Sequence, residues 1–379
     1  MLQLVLTAPR SGSGKTTLLY QRIRARAEKG EKSILLVPEQ FTSSTEGRIY
    51  RELGDALSGM VESFSFTSLA EKILSTEGGA AVQTLSDAGR AVLVRRALEE
   101  LQDNVHYYHR HRRSAAFCQM AAQTIDELKS AGLSGQQLAQ LAGACGAESG
   151  KLSELALIFQ GYETLLARSG MDPSDRLELA GARLEEALAR HSLPEFLRDR
   201  AVFIDEFDTF NAPKKRLLGA MLAALPSVTV ALCDDGAPLL PGDLSLFSGA
   251  KQVAAQLRQL ARKNGAEVAV PQLLRKDLRH RNAPGLAAVA ELLETGSCTA
   301  DAPAGEVRLF AAPSREEEAR AAAGAIRRLM RQGVRCGKIA VVCRDIARYR
   351  AAVRYEFRMA EIPLYCDEPT TPEFSAPAT

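Results

Sequence analysis

Residues 2–18 read LQLVLTAPRSGSGKTTL, and this stretch sets the frame for the rest of the chain. Leu2 to Leu6 is a short apolar run, the pattern of a strand buried on both faces. Ser11–Gly14 is a Gly/Ser turn, and Lys15-Thr16-Thr17-Leu18 opens a helix. Strand, glycine-rich loop and helix in that order are the setting of a P-loop. Glycines let successive backbone N–H groups converge on phosphate oxygens, and the helix N-terminus adds partial positive charge. Gly12, Ser13, Gly14, Lys15, Thr16 and Thr17 are therefore the expected nucleotide-binding residues. Lys15 would reach the β- and γ-phosphates, and the Thr16 hydroxyl would hold Mg²⁺. Pro9 stands where the pattern G-x-x-x-x-G-K-[ST] has its first glycine. A glycine-rich turn with an incidental lysine is the competing reading.

The length of 379 residues suggests about two or three domains and ample chain for a large core. Apolar residues make up 46% and charged residues 25%, the balance of a globular protein. A net charge of +2 excludes a global basic field, so any nucleic-acid contact must come from local patches. The seven cysteines include no C-x-x-C pair, which suits reduced thiols better than a disulfide framework or a zinc or iron–sulfur site. No apolar run approaches the roughly 18 residues of a membrane span. Neither a signal peptide nor a membrane contact is expected, and the expected location is the cytoplasm.

Strand character recurs at Lys32–Val37 and Met60–Phe66, each followed by a helical pattern. Strands alternating with helices predict a doubly wound parallel sheet, whose ligands lie at the carboxyl ends of the strands. The loops at Gln40–Thr42 and Ser65–Ser68 are then expected on the same edge as the glycine turn. From Ser86 to Leu197 apolar residues recur at helical spacing and strand signals vanish, which predicts four to six helices. Within that region His106-Tyr107-Tyr108-His109-Arg110-His111-Arg112-Arg113 is basic and aromatic, either a phosphate-contacting patch or a solvated loop. Strands are expected again at Arg200–Ile204, Ser227–Cys233 and Glu267–Val270. Pro303–Gly305 reads as a linker. Beyond it a strand at Glu306–Ala311, a helix at Arg315–Gln332, a strand at Lys338–Cys343 and a helix at Ile346–Met359 are predicted.

The run Val202-Phe203-Ile204-Asp205-Glu206 is an apolar strand ending in two acids, the form of a Walker B motif. Asp205 would hold the Mg²⁺ shell, and Glu206 would orient and deprotonate an attacking water. Acids that cap the following helix are the alternative. A glycine turn near the start, the acid pair about 190 residues later and helices between them suggest a motor-type NTPase.

Several further stretches carry a specific resemblance. Leu35-Leu36-Val37-Pro38-Glu39-Gln40-Phe41-Thr42 and Ser63-Phe64-Ser65-Phe66 with Leu69-Ala70 resemble the motifs that follow the P-loop in the AddB family, one of the two kinds of chain in bacterial AddAB helicase–nucleases. Asp126-Glu127-Leu128-Lys129, Lys151-Leu152-Ser153-Glu154-Leu155, Tyr162-Glu163, the Asp205-x-Phe207 segment, Ile339-Ala340-Val341-Val342-Cys343-Arg344 and Ile362-Pro363-Leu364-Tyr365 are similar as well.

The resemblance implies a superfamily 1 helicase-like fold. Residues 1–80 and 200–300 would form a first RecA-like domain and 81–199 a helical insertion. Residues 305–367 would begin a second RecA-like domain, with 368–379 a disordered tail. It also implies ATP and Mg²⁺ as cofactors, an AddA-type helicase subunit as partner, and DNA guided and scanned for Chi during break repair and recombination. No counterpart of the family's nuclease and iron–sulfur segment is expected in this chain. Gln40, Thr42, Phe64 and Phe66 are the expected DNA contacts, the amide and hydroxyl toward phosphate or base edges and the rings for stacking. Core packing is the alternative for the two rings. Ser68 replaces the family's usual arginine, removing a basic DNA contact, whereas Glu206 keeps a general base where many relatives have glycine. An arginine completing such a site raises the rate about 10³–10⁵-fold, and here Arg279 or Arg281 is the candidate, Arg281 the choice. Little ATPase activity is expected from the chain alone. A self-sufficient P-loop ATPase or kinase, or a non-catalytic scaffold with a vestigial P-loop, are the other readings.

Overall fold

The computed structural model describes residues 1–7, 12–79, 83–146, 149–297 and 307–366. Pro9, the Pro303–Gly305 linker and the tail expected at 368–379 lie outside the described residues. The chain divides into two compact units, Met1–Ala302 and Pro303–Thr379.

The first unit is built on a six-stranded sheet in the order β3-β2-β4-β5-β1-β6. The strands are β1 (Leu2–Thr7), β2 (Ser33–Leu36), β3 (Val61–Phe64), β4 (Ala201–Ile204), β5 (Ser227–Leu232) and β6 (Gln272–Leu274). Every pairing is parallel, with Leu4 opposite Val230, Leu35 opposite Phe203 and Leu36 opposite Phe64. All carboxyl ends therefore share one edge. The strands are short, apolar and buried because helices cover both faces. Alternation sends Leu2, Leu4 and Leu6 to one face, against the helices Phe66–Glu77, Pro173–Ala189, Ala212–Ala224 and Ser248–Lys263. Val5, Leu35 and Phe203 point the other way, against Leu19, Tyr20 and Ile23 of the helix Lys15–Ala27.

Two boundaries differ from the sequence reading. β3 ends at Phe64, and Phe66 begins the next helix behind Ser65, whose hydroxyl accepts from Ser68 N. The stretch 267–270 makes only a bridge, Leu2 to Val268, and the edge strand proper is β6. Between β3 and β4 run the helices Phe66–Glu77, Asp87–Glu100, Ala115–Ser130, Gly135–Ala142, Ser149–Ser169 and Pro173–Ala189. Several of them enclose a second core around Val94, Ile125, Phe159 and Tyr162.

In the second unit the helices Arg315–Arg331 and Ile346–Met359 pack through Ala323, Ile326, Phe357 and Ile362. Tyr349 donates to Glu318 at 2.6 Å, and Arg320 pairs with Glu356 at 3.0 Å. The strands expected at Glu306–Ala311 and Lys338–Cys343 do not form among the described residues. Residues 336–338 make a short 3₁₀ turn instead. A strand exists only with a hydrogen-bonded neighbour, and here Leu309, Phe310 and Val342 stand exposed.

Candidate nucleotide and DNA site

Gly14 caps the helix Lys15–Ala27 in a left-handed conformation, φ +89°, and Gly12 is left-handed too, φ +98°. Both backbones suit glycine and strain other residues. Their turn delivers Lys15 and Thr16 to the carboxyl edge of the sheet. β5 lies between β1 and β4, so the turn after β1 and the acids after β4 stand two strand spacings apart, about 9.6 Å. A lysine side chain can span that gap. Lys15 Nζ lies 3.3 Å from Asp205 Oδ1 and 4.0 Å from Glu206 Oε2. The Thr16 hydroxyl donates to Asp205 Oδ2 at 2.5 Å, and the Glu206 N–H donates to Asp205 Oδ1 at 3.0 Å. Burial alone would lower the Lys15 pKa, but Asp205, with smaller help from Cys233 and Glu206, holds it above the ordinary lysine value. Ser13 is buried and Thr17 exposed.

Asp205 is only 3% exposed, whereas Glu206 is exposed and left-handed at φ +64°. A non-glycine residue in that region stores roughly 1–3 kcal/mol. The cluster thus combines an ammonium, a hydroxyl, a buried carboxylate and a freely accessible carboxylate. Among the described residues no group of three or more His, Cys, Asp or Glu could hold a metal. The donor set nevertheless fits Mg²⁺ held by Thr16 and Asp205 with phosphate oxygens and waters as remaining ligands, the way this ion is usually bound.

A second segment closes over the turn. Leu278 N–H donates to Gly12 O at 3.2 Å, and a Cβ built on Gly12 would lie 2.5 Å from the Cβ of Arg279. Asp277 shapes this segment by accepting from Arg279 N–H at 3.1 Å, His280 N–H at 2.9 Å and His280 Nδ1 at 3.0 Å. Burial opposes its ionisation, but these donors, the His280 backbone foremost, hold the Asp277 carboxyl below the usual range. The arginine against the glycine turn is therefore Arg279, with Arg281 exposed two residues on.

Sequence reading passed over Asp234, which follows β5 between the two motifs. It is 3% exposed, burial pushes its carboxyl up, and Gly236 N–H donates to it at 2.8 Å. The signal was present: Ser227–Leu232 is another apolar strand ending near paired acids, Asp234 and Asp235.

The loops after β2 and β3 lie side by side, joined by a hydrogen bond from the Thr67 hydroxyl to the Glu39 carboxylate. Gln40 is exposed there and Thr42 half-buried. The two phenylalanines read otherwise than expected. Phe66 is 2% exposed, its ring 5.2 Å from that of Phe207 and 6.0 Å from that of Phe210. Phe64 is half-buried, 6.4 Å from the Phe196 ring. Both rings are committed to the core, because residues flanking a strand-to-helix junction point alternately inward. The exposed ring on this edge is Phe41, at 40%. Ser68, in place of an arginine, completes a reciprocal cap with Ser65, receiving the Ser65 N–H at 2.9 Å.

Such an arrangement defines a class: α/β proteins whose all-parallel sheet gathers a lysine, a threonine and paired acids at its carboxyl edge. Comparison with known proteins narrows it. The family model described as ADDB, N-terminal, matches residues 6–290. The AddB-type chain of the ATP-dependent helicase/deoxyribonuclease of Desulforudis audaxviator is 34% identical over 372 residues, covering 94% of this chain and 31% of that protein. The equivalent proteins from Moorella thermoacetica and Clostridium perfringens are 32% and 29% identical, over 97% and 95% of this chain and 32% and 31% of theirs. The chain belongs to the AddB family and spans about a third of the length of these relatives. No helix among the described residues is long and apolar enough to cross a membrane.

Proposed function

We propose that this chain is the nucleotide-binding, DNA-guiding N-terminal region of a helicase–nuclease subunit that works on broken DNA ends in repair and recombination. In this reading the sheet is RecA-like, residues 81–199 are a helical insertion, and the second unit begins another RecA-like domain. The observation that carries the proposal is the convergence of Lys15 and Thr16 on Asp205, at 3.3 and 2.5 Å. ATP with Mg²⁺ supplies the phosphoanhydride whose binding or cleavage such a site serves. Lys15 exchanges its Asp205 partner for phosphate oxygens, while Gly12, Ser13, Gly14 and Thr17 lend backbone donors around it. Thr16 and Asp205 bind Mg²⁺. Glu206 orients water and accepts its proton, and Arg279, rather than Arg281, approaches the terminal phosphate.

Gln40 and Thr42 touch DNA, with Chi as the sequence scanned. An AddA-type helicase subunit is the partner and the cytoplasm the location. The names of the relatives support the ATP-dependent helicase and deoxyribonuclease context. Titration calorimetry with MgATP tests the site: the parent binds, Lys15→Ala does not, and turnover without partner and DNA is negligible. Equal binding by both proteins overturns the phosphate assignment. Steady turnover by the isolated chain, lost in Glu206→Gln, would instead favour a self-sufficient ATPase, a reading that the accessible Glu206 beside Lys15 keeps in contention.

A further inference from the structure

The basic and aromatic segment 106–113 belongs to none of the chemistry above, yet it is firmly built. The Glu154 carboxylate, on the helix Ser149–Ser169, accepts three successive backbone N–H groups: His106 at 2.9 Å, Tyr107 at 2.8 Å and Tyr108 at 3.1 Å. Burial would raise the Glu154 pKa, but these donors, Tyr107 first, hold it below the usual carboxylate value. Its charge is thereby spent on the loop backbone. Tyr108 and His111 pack their rings on Phe117 at 5.3 and 5.6 Å, and the Arg112 guanidinium sits against the His109 ring. These contacts turn the remaining side chains outward. Tyr107 is 56% exposed with Lys151 Nζ 5.3 Å above its ring, and Arg110 and Arg113 are exposed. Neither arginine makes an ion pair among the described residues.

We infer that this face is a binding site for single-stranded nucleic acid, separate from the edge that carries Lys15. A flat exposed tyrosine supplies a stacking platform, and three cations around it suit a phosphate backbone; together these are the two ingredients of sequence-tolerant single-strand binding. A duplex keeps its bases stacked inside and would use the cations alone, leaving Tyr107 idle. Glu154 is a positioning residue: it holds the loop so that Tyr107, Arg110 and Arg113 face one way.

The experiment is fluorescence anisotropy with a labelled oligothymidine and a matched duplex, using the whole chain without nucleotide, across a salt series. Tyr107→Ala should weaken oligothymidine binding roughly 5- to 150-fold, the worth of one stacked base. The Arg110→Ala/Arg113→Ala double variant should lower the salt slope by about 1.4, from two lost single-strand phosphate contacts. Glu154→Gln separates an ordered site from a diffuse positive field. Removing a negative charge tightens binding to a field, whereas releasing the loop weakens binding to a site. Unchanged binding in Tyr107→Ala, tighter binding in Glu154→Gln, or duplex preferred over the single strand would each overturn the inference. Melting temperature and MgATP binding serve as folding controls. Lys15→Ala should bind the oligonucleotide like the parent, so this inference and the nucleotide site fail independently.

Discussion

Thr16 and Asp205, 189 residues apart in the chain, meet through a 2.5 Å hydrogen bond at the carboxyl edge of the sheet. Lys15 joins the same carboxylate from the other side, at 3.3 Å. Asp205 is thus held between the two groups that would otherwise face phosphate and Mg²⁺, so ligand entry means exchange of partners with little movement of backbone. That preorganisation depends on the glycine turn, and substitutions there should be felt at once.

Gly12→Ala is expected to abolish MgATP binding and to destabilise the protein by about 2 kcal/mol or more. The new methyl would meet Arg279 Cβ at 2.5 Å on a backbone of φ +98°. Calorimetry and urea denaturation check the two parts separately.

Glu206 predicts a division between chemistry and stability. Glu206→Gln should leave stability and MgATP binding near the parent and remove any turnover measured in the presence of partner and DNA. Glu206→Gly should remove turnover too but stabilise the protein by about 1 kcal/mol, because φ +64° costs glycine nothing. A lower denaturation midpoint for the glycine variant would contradict the strain.

Phe66→Ala should cost about 3–5 kcal/mol, the usual loss for a buried phenylalanine, since the side chain is 2% exposed between Phe207 and Phe210. Phe41→Ala, on an exposed ring, should leave the melting temperature nearly unchanged and weaken DNA binding at this edge. Chemical denaturation and oligonucleotide titration on both variants distinguish the two roles.

Lys129 anchors the helical region, its ammonium 2.9 Å from Asp172 and 2.8 Å from Asp175, with Tyr162 donating to Asp172 at 2.6 Å. Asp172 is 1% exposed, so Lys129→Ala strands a buried carboxylate and should destabilise by about 3–5 kcal/mol. Loss of helical signal on heating would report it.

Tyr20 gives an alkaline signature. Burial pushes its hydroxyl up to about 12, against the opposing pull of Arg48. The unfolded chain ionises first, near 10, so this stability is intact below about pH 10 and fades as pH rises toward about 12. Urea melts across that window should fall less steeply for Tyr20→Phe than for the parent.

Much of this was legible from order and spacing alone. An apolar strand, a glycine turn and Lys15-Thr16 need no long-range information, because a glycine-rich connection into a helix is a local preference of the backbone. The same holds for the strand that ends in Asp205-Glu206. Local pattern could not say which ring faces out: Phe41, Phe64 and Phe66 look alike in sequence, and only the helix start at Phe66 and the packing of Phe207 and Phe210 assign them. Nor could it join Thr67 to Glu39, Glu154 to the loop at 106–108, or Arg279 to Gly12. The strands expected around Leu309 and Val342 failed for a related reason: apolar alternation proposes a strand, but a neighbouring backbone must accept it.

The sequence by itself determined the elements, their order and the chemistry available at two strand ends, since those follow from periodicity and from what glycine, lysine and carboxylates can do. The tertiary structure alone decided that β5 intervenes between those ends at a distance one lysine can bridge. It also decided which side chains are spent on the core and which remain for a partner, because burial and contact across hundreds of residues are properties of the packed chain and not of any segment in it.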